Sequence, residues 1–157
     1  MKFSSQEEYG LRCMLRITRD GGEKGLTIPE ISQSEGITPA NVAKLLRILR
    51  MGGLLASSRG QVGGYTLSRP ADKILINEVL YVLGGRLYDK EFCSTHTGAE
   101  MICTNSIDCS IRSLWQTVQN AVDDVLNKLS LKDLIASSDN LVTQIGYVKK
   151  DFIDISN

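Results

Sequence analysis

The chain has 157 residues, of which 42% are hydrophobic and 23% charged, with a formal net charge of zero. That length suits one compact domain or a small domain with an appended helix, and nothing in the composition marks the chain as disordered. No apolar run approaches the roughly 18 residues of a membrane span, and the start MKFSSQEEYG lacks the basic-then-apolar order of a signal peptide, so a cytoplasmic chain with no membrane partner is expected.

The neutral total hides an asymmetry. Residues 1 to 70 carry ten Lys or Arg against six Asp or Glu, while residues 71 to 157 carry eight against twelve. From Thr38 to Pro70 the chain holds Lys44, Arg47, Arg50, Arg59 and Arg69 and no carboxylate. An acid-free basic stretch of this kind predicts a phosphate-facing surface.

In chain order, Ser5 to Glu8 has the Ser-x-x-Glu spacing of a capping box. Leu11, Met14, Leu15 and Thr18 then recur at helical spacing until Asp20-Gly21-Gly22. Cys13 lies within this apolar helix and is expected in the core. Thr27-Ile28-Pro29-Glu30 opens a short second helix that stops before Gly36. Thr38-Pro39 opens a third, with Val42, Leu45, Leu46 and Leu49 as its buried stripe and Gly52 as its left-handed cap. The turn at Glu35-Gly36-Ile37 makes the pair a helix-turn-helix.

Two short strand-like runs follow, 54–58 and 65–67, separated by a glycine-rich tip holding Arg59 and Gly60. A hairpin in this place is a wing. The third helix is expected to enter a major groove with Thr38, Ala40, Asn41 and Lys44 leading, with Arg47 beside them and Arg59 and Gly60 at the backbone or minor groove. The glycines alone would also suit a nucleotide loop, but neither Gly-x-Gly-x-x-Gly nor a Walker lysine is present.

Three of the four cysteines, Cys93, Cys103 and Cys109, fall within seventeen residues, together with the chain's one histidine, His96. In a reducing compartment such a cluster points to metal or redox chemistry before a structural disulfide. Iron-sulfur, zinc, reactive thiols and plain packing all stay open; either metal site needs a fourth ligand, for which His96 is near in sequence. No acid-base pair or nucleophile-base arrangement is visible, so the chain is not expected to be an enzyme. From Cys109 onward, Leu114, Trp115, Val118, Val122, Val125, Leu126 and Leu129 follow three- and four-residue steps over about five turns of one long helix.

The segments Ile31-Ser32 with Gly36-Ile37, Leu45 to Leu49 with Gly53-Leu54, and Arg59-Gly60 with Gly63-Gly64-Tyr65 resemble the IscR/NsrR family of bacterial winged-helix regulators. So do CSIRSLW, from Cys109 to Trp115, and the Leu-x-Asp-Leu motif at Leu131 to Leu134, so that the likeness covers residues 1 to about 135. The resemblance implies a mainly α fold with a small β wing: a winged helix-turn-helix domain over 1–70, a cluster loop and dimerisation helix over 71–135, and a tail over 136–157. It further implies a homodimer on a double-stranded DNA operator, and an iron-sulfur cluster, 2Fe-2S ahead of 4Fe-4S, on Cys93, Cys103 and Cys109. A relative of this type lacking the cluster would instead be controlled by a protein partner or by bare thiols.

Three departures stand out. The recognition helix has Asn41-Val42-Ala43 where the family commonly has Tyr-Leu-Glu. The cysteines are spaced by nine and five residues in place of five and five. Where relatives with a histidine ligand carry it three residues after the last cysteine, this chain has Arg112. Some relatives use an acidic residue near position 8 across the dimer, which points to Glu8 of the partner subunit as the fourth ligand, with His96 as the alternative.

Overall fold

Ser4, one residue earlier than the sequence spacing suggests, starts the first helix. In the computed structural model, which describes residues 3–57, 63–89, 91–97 and 109–136, Ser4 Oγ accepts the Glu7 N–H at 3.3 Å. In return, Glu7 Oε2 accepts the Ser4 N–H at 2.7 Å. Both Ser4-x-x-Glu7 and Ser5-x-x-Glu8 fit the capping pattern; tertiary packing selects the first. The selected register buries Glu7 beneath Gly85, where an added Cβ would sit 2.9 Å from Glu7 Oε1, and leaves Glu8 exposed.

The resulting helix α1 (Ser5–Asp20) precedes α2 (Ile28–Glu35) and α3 (Pro39–Met51), and both later helices start where the sequence indicates. Thr27 and Glu30 form a reciprocal capping box, and Thr38 Oγ1 caps Asn41 N–H at 3.4 Å. Gly36 supplies the left-handed turn between them, at φ 65°. At the end of α3 the left-handed residue is Gly53, at φ 75°, rather than Gly52. Gly52 is small for another reason: its missing Cβ makes room for Val82.

Strands β1 (Leu55–Ser57) and β2 (Tyr65–Leu67) pair antiparallel, with Leu55 opposite Leu67 and Ser57 opposite Tyr65. Tyr65 also bridges to Leu26, so the hairpin is tied to the loop before α2. The tip residues Arg59 and Gly60 lie outside the described residues. A 3-10 turn (Ala71–Lys73) leads to α4 (Ile76–Leu83); then come the short α5 (Phe92–Thr95), the long α6 (Ser110–Leu126) and α7 (Leu131–Ile135).

One apolar core spans the helices, with Met14, Ile31, Leu46, Leu49, Leu83 and Leu131 fully buried. Leu131 reaches it because α6 is fastened at its far end: Ile76 N–H donates to Leu129 O at 2.9 Å and Leu131 N–H to Ile74 O at 3.0 Å. Helix α6 otherwise extends away from this core. Its early turns leave Ile111 and Leu114 more than half exposed and Trp115 40% exposed. Among the described residues no helix is long and apolar enough to cross a membrane.

Candidate nucleic-acid interface and thiol site

The exposed side of α3 carries Thr38, Ala40, Asn41, Lys44, Arg47 and Arg50, while Val42, Leu45, Leu46 and Leu49 fix the opposite side in the core. Among the described residues Lys44, Arg47 and Arg50 make no ion pair, so their charges stand free for phosphate. Arg69 is different. It binds both oxygens of Glu78 at 2.7 Å, and Glu78 also accepts the Leu75 N–H that starts α4. The basic stretch read from the sequence therefore loses one member to an internal ion pair.

Helix α3 is set at its angle by α1 and the end of α2. Arg12 Nε and Arg16 Nε donate to the two oxygens of Glu35 at 2.9 and 2.8 Å, and Arg12 also holds the Glu35 carbonyl. Burial pushes the Glu35 carboxyl upward, but the hydrogen bonds and charges of Arg16 and Arg12 outweigh it and hold the group below the usual carboxylate range. Glu35 is the last residue before the helix-turn-helix turn, so this pairing fixes the angle at which α3 is presented. At its other end α1 borders α3 across a cleft lined by Ser4, Ser5, Gln6, Tyr9, Asn41 and Lys44.

The thiols lie around the start of α6. The loop after α4 is drawn onto α6 by Gln119, itself buried, whose Oε1 accepts the N–H groups of Leu87 and Tyr88 at 2.8 and 3.1 Å. An Arg86–Asp123 ion pair at 3.0 Å holds the same loop. Asp89 Oδ1 then accepts the N–H groups of Glu91 and Phe92, which turns the chain into α5 and presents Cys93 half-buried. Tyr88 Oη lies 3.7 Å from Cys93 Sγ, a hydrogen bond that raises the phenol's pKa, with desolvation adding to it.

Cys109 caps α6. Its Sγ accepts the Arg112 N–H at 3.3 Å, and the Arg112 side chain lies near the Cys93 thiol. The nearby Cys93 thiol favours the protonated form of Arg112. Two cysteines sixteen positions apart thus share one arginine. Arg112 Nε is buried and has no hydrogen-bond partner.

Of the other residues singled out in the sequence, Cys103 lies outside the described residues. His96 is exposed, stacked on Phe92 at 4.1 Å between ring centres, with Nδ1 against Phe92 O and Thr95 Oγ1 at 2.9 Å each. Among the described residues no three His, Cys, Asp or Glu side chains converge. Cys13 is fully buried in the core, and burial with the nearby Glu35 charge pushes its thiol up to about 11. Sequence reading missed Tyr88 and Gln119 and took Arg112 only as a missing histidine. Gln119 left a signal: it is an amide on the same helical face as Trp115 and Val122. Tyr88 left none.

Over residues 3–137 the chain matches the family described as Rrf2, iron-dependent transcriptional regulator. This chain belongs to the Rrf2 family. It is 32% identical over 135 residues to protein rrf2 of Nitratidesulfovibrio vulgaris strain Hildenborough, covering 86% of this chain and 87% of that relative. It is 30% identical over 139 residues to the HTH-type transcriptional regulator CymR of Bacillus subtilis, covering 88% and 93%. Its fold is similar to the solved structure of T. potens IscR, with a TM-score of 0.66, 26% identity and 86% of each chain covered. As an Rrf2 protein it is a DNA-binding transcriptional regulator with a winged helix, and not an enzyme.

Proposed function

We propose that this Rrf2 regulator acts as a cytoplasmic homodimer whose operator binding is controlled by an iron-sulfur cluster on Cys93, Cys103 and Cys109, 2Fe-2S ahead of 4Fe-4S. The observation that carries the reading is the meeting of Cys93 and Cys109 at Arg112, with Nε left as a buried donor lacking an acceptor. Soft thiolates suit iron-sulfur chemistry, and an orphaned N–H beside them suits a group rich in sulfide acceptors. When bound, such a cluster supplies one-electron redox chemistry and reactivity toward small oxidants or nitric oxide.

The fourth ligand in this reading is Glu8 of the partner subunit. Glu8 is exposed on α1, whereas Glu7 is committed to the helix cap and His96 Nδ1 to its own turn. The exposed apolar side of α6, at Ile111, Leu114 and Trp115, is the surface on which two copies pair, placing two α3 helices in successive major grooves. Thr38, Ala40, Asn41, Lys44 and Arg47 contact the groove and its phosphates, and Arg59 and Gly60 carry the wing contact.

A path within one chain joins the thiols to α3. Gln119 holds the Tyr88 loop, whose root at Leu83–Gly85 is gripped by α1: Gln6 Nε2 donates to Leu83 O at 2.8 Å, and Gly85 packs on Glu7. Helix α1 then borders Asn41 and Lys44. A change in the position of Cys93 therefore reaches the recognition helix through packed elements.

The test is anaerobic purification with iron and sulfide analysis and absorption spectra, followed by selection of bound duplexes from a random pool by the coloured and the metal-free protein. A coloured protein that selects a two-part site, with an affinity that changes on metal removal, supports the reading. A colourless protein that selects the same site with the same affinity replaces it with a regulator controlled by a protein partner or by bare thiols.

A further inference from the structure

We infer that Arg112 is the positioning residue of the thiol site: a fixed cation that ligates nothing itself and sets how readily the bound cluster accepts an electron. The inference rests on the cluster reading above and adds a role for a residue that holds no metal itself.

Three features of Arg112 carry it. Its backbone N–H is used on Cys109 Sγ, so the first turn of α6 anchors it to one thiol. Its guanidinium lies near both Cys93 and Cys109, so one charge acts on the two thiols. Its Nε is buried without an acceptor. A buried donor of this kind is unfavourable until a partner arrives, and the partner it suits is an anionic acceptor. A guanidinium does not lose its proton in the physiological range, so the charge is permanent. A permanent cation beside a cluster favours the more negative, reduced form and raises the reduction potential, and hydrogen bonds toward the sulfurs act in the same direction.

The experiment compares wild type, Arg112→Gln, Arg112→Lys and Asp124→Asn, each purified anaerobically as the full chain. Asp124 is exposed on the same helix, about 18 Å further along, so its variant controls for a change of net charge at a distance. Iron and sulfide are measured first in the wild type, then the reduction potential by spectroscopic titration and the rate of bleaching by a chelator.

Arg112→Gln should shift the reduction equilibrium about tenfold toward the oxidised form, 59 mV for a one-electron couple, and speed bleaching severalfold. Arg112→Lys should fall between that variant and wild type, and Asp124→Asn should match wild type. If Arg112→Gln loses its colour while keeping a wild-type thermal unfolding curve, and Arg112→Lys keeps the colour, the role stands. Wild-type potential and bleaching in Arg112→Gln overturn the role and leave the cluster reading intact. Wild-type protein without iron or sulfide overturns the cluster reading itself, and the role with it.

Discussion

Gln119, buried in α6, accepts the backbone N–H of Leu87 at 2.8 Å, and that amide, beside the Arg86–Asp123 ion pair, joins the long helix to the loop carrying Tyr88 and Cys93. The same oxygen takes the Tyr88 N–H, and the amide nitrogen donates to Asp123 Oδ1 at 2.8 Å. Gln119→Leu keeps the volume but strands two backbone donors. It should destabilise the chain by about 2 kcal/mol and lower Tm by about 6 °C. Urea unfolding checks this, and an unchanged midpoint would show that the loop is held without the amide.

Glu35 gives the fold an acid-sensitive joint. Its pKa is depressed in the folded chain relative to about 4.3 when unfolded. Its contribution is therefore complete above the unfolded value and is lost as pH falls through the folded one. Glu35→Gln should cost about 2 kcal/mol at pH 7. The gap from wild type should close as the acid limb is reached, in urea titrations from neutral pH down to about pH 3. A gap independent of pH would assign the loss to packing.

The capping box makes neighbouring glutamates behave differently. Glu7→Ala should cost about 1 kcal/mol of stability through the lost cap, whereas Glu8→Ala, at an exposed position, should leave the unfolding curve alone. If Glu8 of the partner subunit ligates the cluster, Glu8→Ala should instead alter the visible spectrum while the dimer persists in gel filtration. Should His96→Ala alter the spectrum and Glu8→Ala leave it unchanged, the ligand lies in the loop.

Free and paired arginines should separate in a salt titration of operator binding. Lys44→Ala and Arg47→Ala should each reduce the slope of log affinity against log salt by about 0.9 for every phosphate the side chain neutralises. Arg59→Ala should weaken binding as well. Arg69→Ala should leave the slope unchanged and lower stability, because its charge already answers Glu78. A slope change in Arg69→Ala equal to that of Lys44→Ala would count against the ion pair in solution.

Cys13 and Cys93 should differ in reactivity. With its thiol pushed up to about 11 by burial, Cys13 should resist iodoacetamide at pH 7.5 in the folded, metal-free protein, while half-buried Cys93 reacts. Cys13 should label only when urea unfolds the chain. Equal labelling rates, read by mass spectrometry, would contradict the buried assignment.

Much of this architecture is legible in residue order because local chemistry decides it. Thr27 with Glu30, and Thr38 with Pro39, each cap one helix without help from the rest of the fold. The first capping box is ambiguous in sequence because two Ser-x-x-Glu registers overlap; only the seat of Glu7 against Gly85 and of Gly10 against Leu83 separates them. Gly52 and Gly53 exchange roles for the same reason, since Val82 arrives from a distant element. Spacing groups three cysteines in the sequence, but the nearness of Arg112 to both Cys93 and Cys109 depends on where Gln119 pulls the loop. Arg69 looked like its neighbours until Glu78, nine residues later, turned back to meet it.

Cys93 and Cys109 are each seated by their own supports: one by the Asp89 turn and the Gln119 clasp, the other by its place at the head of α6. The stretch joining them has its two anchor points supplied from outside itself. Four extra residues relative to the family's usual spacing then cost only about 0.3 kcal/mol in closure entropy. The two thiol seats thus belong to the folded body of the protein, and a regulator built this way can be given a new stimulus by changing what lies between fixed ends without redesigning its DNA-reading half.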